Sequence, residues 1–333
     1  YKDARVDLVE CRLAGDAFTL SGSGGWDGRT VRLEDWSLSE TSGLPVVSLD
    51  ASLPGDFTSG VGFLDQSGPL SLDLVFEEFD PGTVLSVFHD PVPVSGRADG
   101  TWKASGSFRD LSLEGMLSFR PGPSASSGPS ETSENALVEW RAGLSGNVNQ
   151  PSSWETAMDM TFSGFRWNDT HIEDIALTAR TSDAGAAKVL EVALRGHQSG
   201  SDFSADSRID LTAADTFEDL RRRPIAIDAA VDAPDLAALW QDWAPPKWRG
   251  FPVSGAMSVE VADVRLAEGS LTSGVVDLVS DTLTVEDETW EAVALDARVT
   301  RPGWIDAAVT MRADERSHLE ASGQFDLEST GYE

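Results

Sequence analysis

The chain has 333 residues and is strongly acidic, with 25 Lys and Arg against 56 Asp and Glu and a formal net charge of −31. A charge of this sign repels phosphate, so the composition argues against nucleic acid as a partner and against direct binding to an anionic bilayer surface. The single cysteine, Cys11, excludes a disulfide bond within the chain.

Residues 1–120 alternate apolar and polar side chains, which is the pattern of strands with one buried face. The clearest example is the run Leu70, Leu72, Leu74 and Phe76. Gly, Asn, Asp and Pro interrupt the runs about every ten residues, which suits antiparallel hairpins. The long helical crossovers that parallel strands need are missing from the pattern. This region is therefore predicted to be a first β-repeat.

Two short helices are predicted to interrupt the strands, one near residues 81–89 and one near 234–243. Asp and Pro precede each of them, and Pro follows each, where it lacks the donor that a longer helix would need. The second helix carries one apolar stripe. The helical side chains expected to pack on the sheet are Leu85, Phe88, Leu236, Leu239, Trp240 and Trp243. Replacing Leu239 by Asp is expected to unfold the second segment.

Residues 121–135 are rich in Ser, Pro and Gly and almost free of apolar side chains. Such a segment cannot offset its ordering entropy by burial, so it is predicted to be a flexible linker. The alternating pattern resumes after it, and residues 136–333 are predicted to be a second β-repeat with continuing strands. Its alternating apolar positions include Ile225 and Ile227, and also Val259 and Val261.

An internal repeat supports this division. Stretches 69–101 and 224–261 both start with Pro and an alternating strand, continue with an apolar helical segment, and return through Pro-Val-Ser-Gly to a new strand. Alternation alone fits a closed sandwich as well as an open sheet. Repetition favours the open form, because a repeated unit propagates along an array. The predicted fold is all-β: a mainly antiparallel meander forming a long curved groove with two short helices.

Motifs for catalysis or metal binding are not recognisable. The pairs Glu34-Asp35 and Glu173-Asp174 occupy equivalent positions and are interpreted as solvated turns rather than acid/base or metal pairs. The four histidines are scattered without the short spacing of metal ligands, and there is no nucleophile elbow. The sequence therefore predicts a protein that is not an enzyme and that uses no metal or cofactor.

The helix-to-strand segment resembles the AsmA-like/TamB superfamily. Asp235, Leu236 and Leu239 are followed by Pro245 and by Val253-Ser254-Gly255, and the chain closes on a similar strand at 319–327. The resemblance implies a β-groove with an apolar interior, held in the periplasm by an inner-membrane anchor. It also implies transport of phospholipid to the outer membrane, with an outer-membrane barrel protein as a further partner and no catalytic residues.

Under this hypothesis the apolar face binds acyl chains. The sequence has no apolar run long enough for a membrane helix, so any anchor is expected to lie outside it. The residues expected to line the groove are Leu72, Leu74, Phe76, Ile225, Ile227, Val259, Val261, Leu295 and Val309. A charge at Leu72, Ile227, Val259 or Leu295 is expected to block transport. Two alternatives stay open: a structural or adhesive surface protein with a dry core, and a carbohydrate-binding or carbohydrate-acting protein with exposed Trp.

Overall fold

The chain divides into two compact units, Tyr1–Thr161 (unit 1) and Phe162–Glu333 (unit 2). The structure, a computed structural model, describes residues 6–14, 18–40, 45–55, 67–80, 96–122, 137–167, 170–185, 187–244, 250–267, 270–313 and 317–326. The predicted helix near 81–89, with Leu85 and Phe88, lies outside the described residues. So does the predicted linker, apart from positions 121 and 122.

Unit 1 is an antiparallel meander in which each strand pairs with the next. Its strands are β1 (Val6–Ala14), β2 (Phe18–Trp26), β3 (Thr30–Glu40), β4 (Pro45–Pro54), β5 (Leu70–Phe79), β6 (Gly96–Ser107), β7 (Asp110–Pro121) and β8 (Leu137–Gly146). A short 3-10 turn at Pro151–Ser153 precedes β9 (Glu155–Trp167), and the boundary between the units falls within β9.

Unit 2 continues the same pattern, again with antiparallel pairing between consecutive strands. Its strands are β10 (Thr170–Ala184), β11 (Ala187–Gln198), β12 (Ser201–Asp210), β13 (Ile225–Ala233), β14 (Val253–Ala267), β15 (Ser270–Val285), β16 (Glu288–Arg301), β17 (Trp304–Arg312) and β18 (His318–Asp326). Two helices lie among them, α1 (Phe217–Arg221) and α2 (Leu236–Trp243).

The predicted fold class is confirmed: the described residues form an almost entirely antiparallel β-meander with two short helices. Helix α2 is the predicted second helix, whereas α1 is not one of the two that the sequence predicted. This fold arises because apolar and polar residues alternate along the sequence, and the alternation gives each strand one apolar and one polar face. Along β14, half-buried and exposed residues alternate almost throughout. Short turns close the hairpins; between β11 and β12, Ser199 and Gly200 have φ of 51 and 75°, as a two-residue turn with both central residues left-handed requires.

Three strands carry a bulge built from acidic residues. At each bulge a residue with left-handed φ, namely Asp35, Glu78 or Asp263, donates its backbone N–H to an Asp carboxylate on the neighbouring strand. The acceptors are Asp50, Asp99 and Asp228, all at 2.8 Å. The pair Glu34-Asp35 therefore lies in a bulge inside β3 and not in a turn. These carboxylates satisfy backbone donors that the ladder leaves unpaired.

Removing one of these acceptors should destabilise its bulge. Asp228→Ala leaves the Asp263 N–H without its carboxylate, and we expect a loss of about 1 kcal/mol in the free energy of unfolding. This loss in stability is smaller than is usual for a hydrogen bond to a charged acceptor, because the two residues are exposed to solvent. Urea unfolding measures it, and Asp228→Asn, which keeps an acceptor oxygen, should lose less. Equal losses in the two variants would contradict this role.

Candidate functional site: the apolar sheet face

The apolar residues of unit 2 align across the sheet into continuous rows. In the first row each residue is the register partner of the next, from β10 to β18. Its members are Ile175, Gly196, Phe203, Val231, Val259, Leu278, Leu295, Val309 and Ala321. With neighbouring strands about 4.8 Å apart, nine strands extend this row over about 38 Å measured along the sheet.

A second row runs parallel to the first across the same strands. It consists of Leu177, Leu194, Ala205, Ala229, Val261, Val276, Ala297, Ala307 and Gly323. Ile227 and Ile225 occupy two further rows, each paired with an apolar residue of β14. The structure thus brings the six unit 2 residues predicted to line the groove onto one face, three of them in a single row.

Unit 1 has the same organisation. The row of Leu72 contains Leu33, Ala51, Ala104, Leu113 and Leu144. The row of Leu74 contains Trp36, Leu49, Trp102, Gly115 and Ala142, and the row of Phe76 contains Leu20, Leu38, Val47, Gly100, Leu117 and Trp140. The three predicted lining residues of β5 therefore stand in three adjacent rows of one face.

These rows are only half-buried. Val259, Leu278 and Leu295 each keep part of their side chains accessible, although they stand in the middle of the sheet. Facing side chains of two packed sheets would be fully enclosed. Fully enclosed large side chains are few among the described residues, and Leu211 and Leu236 are examples. Within each unit the apolar face is therefore an open surface and not the core of a sandwich.

Aromatic rings lie over glycines on this face, a feature that the sequence interpretation missed. In four places a Cβ added to a glycine would overlap a ring from the adjacent strand. The pairs are Gly22 with Trp36, Gly96 with Phe119, Gly115 with Trp102, and Gly196 with Phe203. Only glycine leaves room for a ring so close to the backbone. The rings consequently occupy the space directly above these glycines, where a Cβ would otherwise lie.

Helix α2 packs against β10 and β14 and covers one part of unit 2. Asp235 caps its first turn, accepting from the N–H groups of Ala237 and Ala238 at 3.1 and 3.3 Å. Leu236 is 6% exposed, whereas Leu239 and Trp240 are half-buried. Leu236 is thus the main packing residue of the helix. Trp243 ends α2, but its side chain lies outside what the structure describes.

In each unit the opposite face is polar and charged, and it carries a shallow depression. The depression of unit 1, of about 460 Å³, is lined by Arg32, Lys103, carboxylates and serines, together with Leu33, Ala51, Leu72 and Ala104 of the Leu72 row. The other, of about 370 Å³, includes Asp296, Arg298 and Asp306 of unit 2. The hydrogen bond from Arg298 lowers the pKa of Asp296, so this carboxyl is not tuned for proton donation. No tryptophan is among the side chains that line either depression.

Beside the β11–β12 turn, His197 lies among carboxylates. Its Nδ1 is 2.8 Å from Asp202 Oδ1, and its Nε2 is 3.7 Å from Glu173 Oε2. The hydrogen bond to Asp202 raises the pKa of His197 above its ordinary value; the charges of Asp202, Glu173 and Asp174 act in the same direction, against a smaller effect of desolvation.

This environment predicts a pH dependence of stability. Because the folded-state pKa is raised, the His197–Asp202 interaction stabilises the fold fully below the unfolded pKa of about 6.5, and that contribution is lost as the pH rises through the folded pKa. The stability difference between the unsubstituted chain and His197→Gln should therefore be largest at acidic pH. Thermal unfolding over a pH series measures it, with Asp202→Asn as the control background in which the difference shrinks, because only Glu173 and Asp174 then remain to favour the charged imidazole. A difference that grows with pH would contradict the assignment.

Within the part of the chain that the structure describes, no group of three His, Cys, Asp or Glu side chains could hold a metal ion. None of the helices there has the length and apolar character needed to cross a membrane. No family model matches this chain, and no curated protein or solved structure is significantly similar to it.

Proposed function

We propose that the protein carries phospholipid acyl chains along its apolar sheet face, as a periplasmic segment of an AsmA-like/TamB-type protein between the inner and outer membranes. The observation that carries this proposal is the set of apolar rows, half-buried and not enclosed by a second sheet. The face is apolar without interruption by charge along each row, and the opposite face carries the carboxylates that keep the sheet in water.

Transport of acyl chains in this way needs a continuous apolar surface, and it needs no covalent bond to be made or broken. Each methylene exposed to water costs about 0.8 kcal/mol, so a chain crossing an aqueous space needs continuous apolar contact. The rows through Val259 and Val261 supply such contact across nine strands of unit 2. The absence of clustered metal ligands among the described residues is compatible with this role, in which nothing is cleaved or formed.

The cellular setting belongs to the same proposal. The resemblance at Asp235–Leu239 and Val253–Gly255 is what supports a periplasmic location, with the protein held by an inner-membrane segment outside this sequence. Its partners would be phospholipid and an outer-membrane barrel protein, and its role would extend to outer-membrane biogenesis or protein assembly.

Two other functions account less well for the geometry. A structural or adhesive protein would use its apolar residues as a dry core, whereas Leu278 and Leu295 keep accessible surface. A carbohydrate-binding protein would place Trp beside carboxylates in a polar cleft. Here Trp36 and Trp102 belong to the apolar row of Leu74, and neither of them lines the polar depression of unit 1.

The test is to purify the chain from a diderm bacterium without detergent, extract it with organic solvent and identify the extract by mass spectrometry. We expect phospholipid at a constant ratio to protein, retained through ion-exchange and size-exclusion steps. A similarly acidic protein with a closed core, taken through the same steps, is the control. Protein free of lipid, and unable to take up labelled phospholipid from vesicles, would refute the proposal.

A further inference from the structure

We propose that helix α1 and the turns beside it are a contact surface for a phospholipid bilayer. Helix α1 belongs to residues 211–224, which connect β12 to β13. Leu211 and Ala214, at the base of this segment, are fully enclosed, whereas Phe217 at the start of the helix is 52% exposed. Unlike α2, α1 packs closely against none of the described strands. It therefore presents Phe217 to solvent at the end of the sheet.

Two exposed arginines accompany Phe217 on the helix. Phe217 and Arg221 are the first and last residues of α1, one turn apart, and so lie on the same side of it. The side chains of Arg221 and Arg222 are 82% and 66% exposed, and both lie near the carboxylate of Glu218, at 3.9 and 3.1 Å. One carboxylate cannot neutralise two guanidinium groups, so this side of the helix retains positive charge on a strongly acidic chain.

The start of the helix is held in an ordered conformation. Thr216 and Asp219 form a capping box, in which the Thr216 hydroxyl accepts from the Asp219 N–H at 3.1 Å and the Asp219 carboxylate accepts from the Thr216 N–H at 3.0 Å. Residues 216–224 contain three arginines and two carboxylates, and one of these carboxylates, that of Asp219, is engaged in the box. The exposed ring and the arginines are therefore presented together, with an excess of positive charge.

Further basic residues lie at the same ends of the strands. The pairing registers place the segment of α1 in one line with the β10–β11, β14–β15 and β16–β17 turns, and these four connections together form the α1 margin. Lys188, Arg265 and Arg301 lie at these turns, and the Arg301 guanidinium is 4.0 Å from the centre of the Trp304 ring. The described carboxylates of this margin do no more than balance its basic residues; they are Asp183, Asp210, Asp215, Glu218 and Asp219.

The opposite margin of unit 2, next to α2, is acidic. The described residues at its turns and strand ends include the carboxylates Glu173, Asp174, Asp202, Asp235, Glu286 and Asp287. Arg312, which also lies there, is paired with Glu291 at 3.4 Å. The two margins therefore differ in charge, and a surface that carries phosphate groups is repelled by the α2 margin and not by the α1 margin.

A bilayer surface fits both properties of α1. The planar guanidinium group of arginine binds phosphate oxygens through two hydrogen bonds, and an aromatic side chain gains free energy when it leaves water at the level of the lipid headgroups. A free phosphate ion would leave Phe217 in water. Because the whole chain carries a charge of −31, the surface that fits is one of zwitterionic phospholipids, which offer phosphate without net negative charge.

Flotation of the full chain with phosphatidylcholine vesicles tests this contact. We expect Phe217→Ala to lower the partition coefficient by roughly tenfold, and Arg221→Gln combined with Arg222→Gln to lower it several-fold. The matched controls are Val279→Ala, which removes an apolar side chain of similar exposure, and Arg312→Gln at the opposite margin. Both controls should bind as the unsubstituted chain does. Circular dichroism checks that each variant retains its strands.

A fluorescent label tests where the contact lies. In a Cys11→Ser background, an environment-sensitive label on Phe217→Cys should shift to the blue when vesicles are added, and the same label on Val279→Cys should not. Inorganic phosphate, used alone as a second probe, should cause no shift. Absence of vesicle binding, binding that both α1 variants leave unchanged, or a label at position 217 that responds to phosphate alone would overturn the inference.

Contact with a bilayer and transport along the apolar face are tested separately. Vesicle binding by a chain that purifies without lipid would support the α1 contact and refute transport. A chain that purifies with lipid and does not bind vesicles would support transport and refute the α1 contact.

Discussion

Leu278→Asp is expected to remove most of the phospholipid that co-purifies with the chain. Leu278 stands between Val259 and Leu295 in the nine-strand row, so a carboxylate there would interrupt the apolar surface in the middle of unit 2. If the charge denies contact to about three methylenes, at about 0.8 kcal/mol each, binding falls by roughly fifty-fold. The readout is the molar ratio of phospholipid to protein by mass spectrometry.

Val279→Asp is the matched control for this substitution. Val279 is the next residue in β15, it is 55% exposed, and it points to the polar face. Both variants replace an apolar residue by the same charge in the same strand, and they differ in the face that receives it. Circular dichroism should show that both variants retain their strands. Equal lipid content in the two variants, with Leu278→Asp folded, would exclude the apolar face as the binding surface.

The fold class could be predicted from sequence because it depends on a local signal. Alternation in segments such as Leu70–Leu74 determines which face of each strand is apolar, and the structure retains those faces. The stripe of α2 was predictable for the same reason. Its most enclosed residue was not, because burial depends on the strands that the helix meets; Leu236 is more enclosed than Leu239, the residue expected to matter most.

The bulges could not be predicted, because they depend on how two strands match in length and register. Asp73 and Asp228 occupy equivalent places in the repeated sequence, yet their roles differ. Asp228 accepts the N–H of Asp263, whereas Asp73 forms an exposed ion pair with Lys103 at 3.4 Å. Nothing in either strand alone distinguishes them, since the left-handed partner belongs to another strand.

The glycine–aromatic pairs could be predicted from sequence only in part. The two-residue turn at Ser199-Gly200 fixes the register of its hairpin, and that register places Gly196 directly opposite Phe203. The turn and both residues are visible in the sequence, so this pair was predictable. For Trp102 and Gly115 the same argument needs the register of β6 and β7, which the sequence does not reveal.

Gly196→Ala is expected to lower the free energy of unfolding by about 1–3 kcal/mol, because its Cβ overlaps the Phe203 ring and the ring must move away from the backbone. Chemical denaturation measures the loss. Gly143→Ala is the matched control, since Gly143 also lies inside a strand but its Cβ would meet only ordinary contacts at 3.9 Å. That variant should be neutral or slightly more stable, because alanine costs less entropy than glycine in a strand.

A double-mutant cycle with Phe203→Ala separates the ring from other effects of the new methyl group. Once the ring is removed, Gly196→Ala should cost nothing, which gives a coupling energy of about 1–3 kcal/mol. The displaced ring in Gly196→Ala would also stand over the row from Ile175 to Ala321, so its lipid content should fall as well. The double variant should therefore match Phe203→Ala alone in both stability and lipid content. If Phe203→Ala alone already loses lipid, the ring itself contacts the acyl chain; if the double variant is less stable than Phe203→Ala, the glycine is required by the backbone and not by the ring.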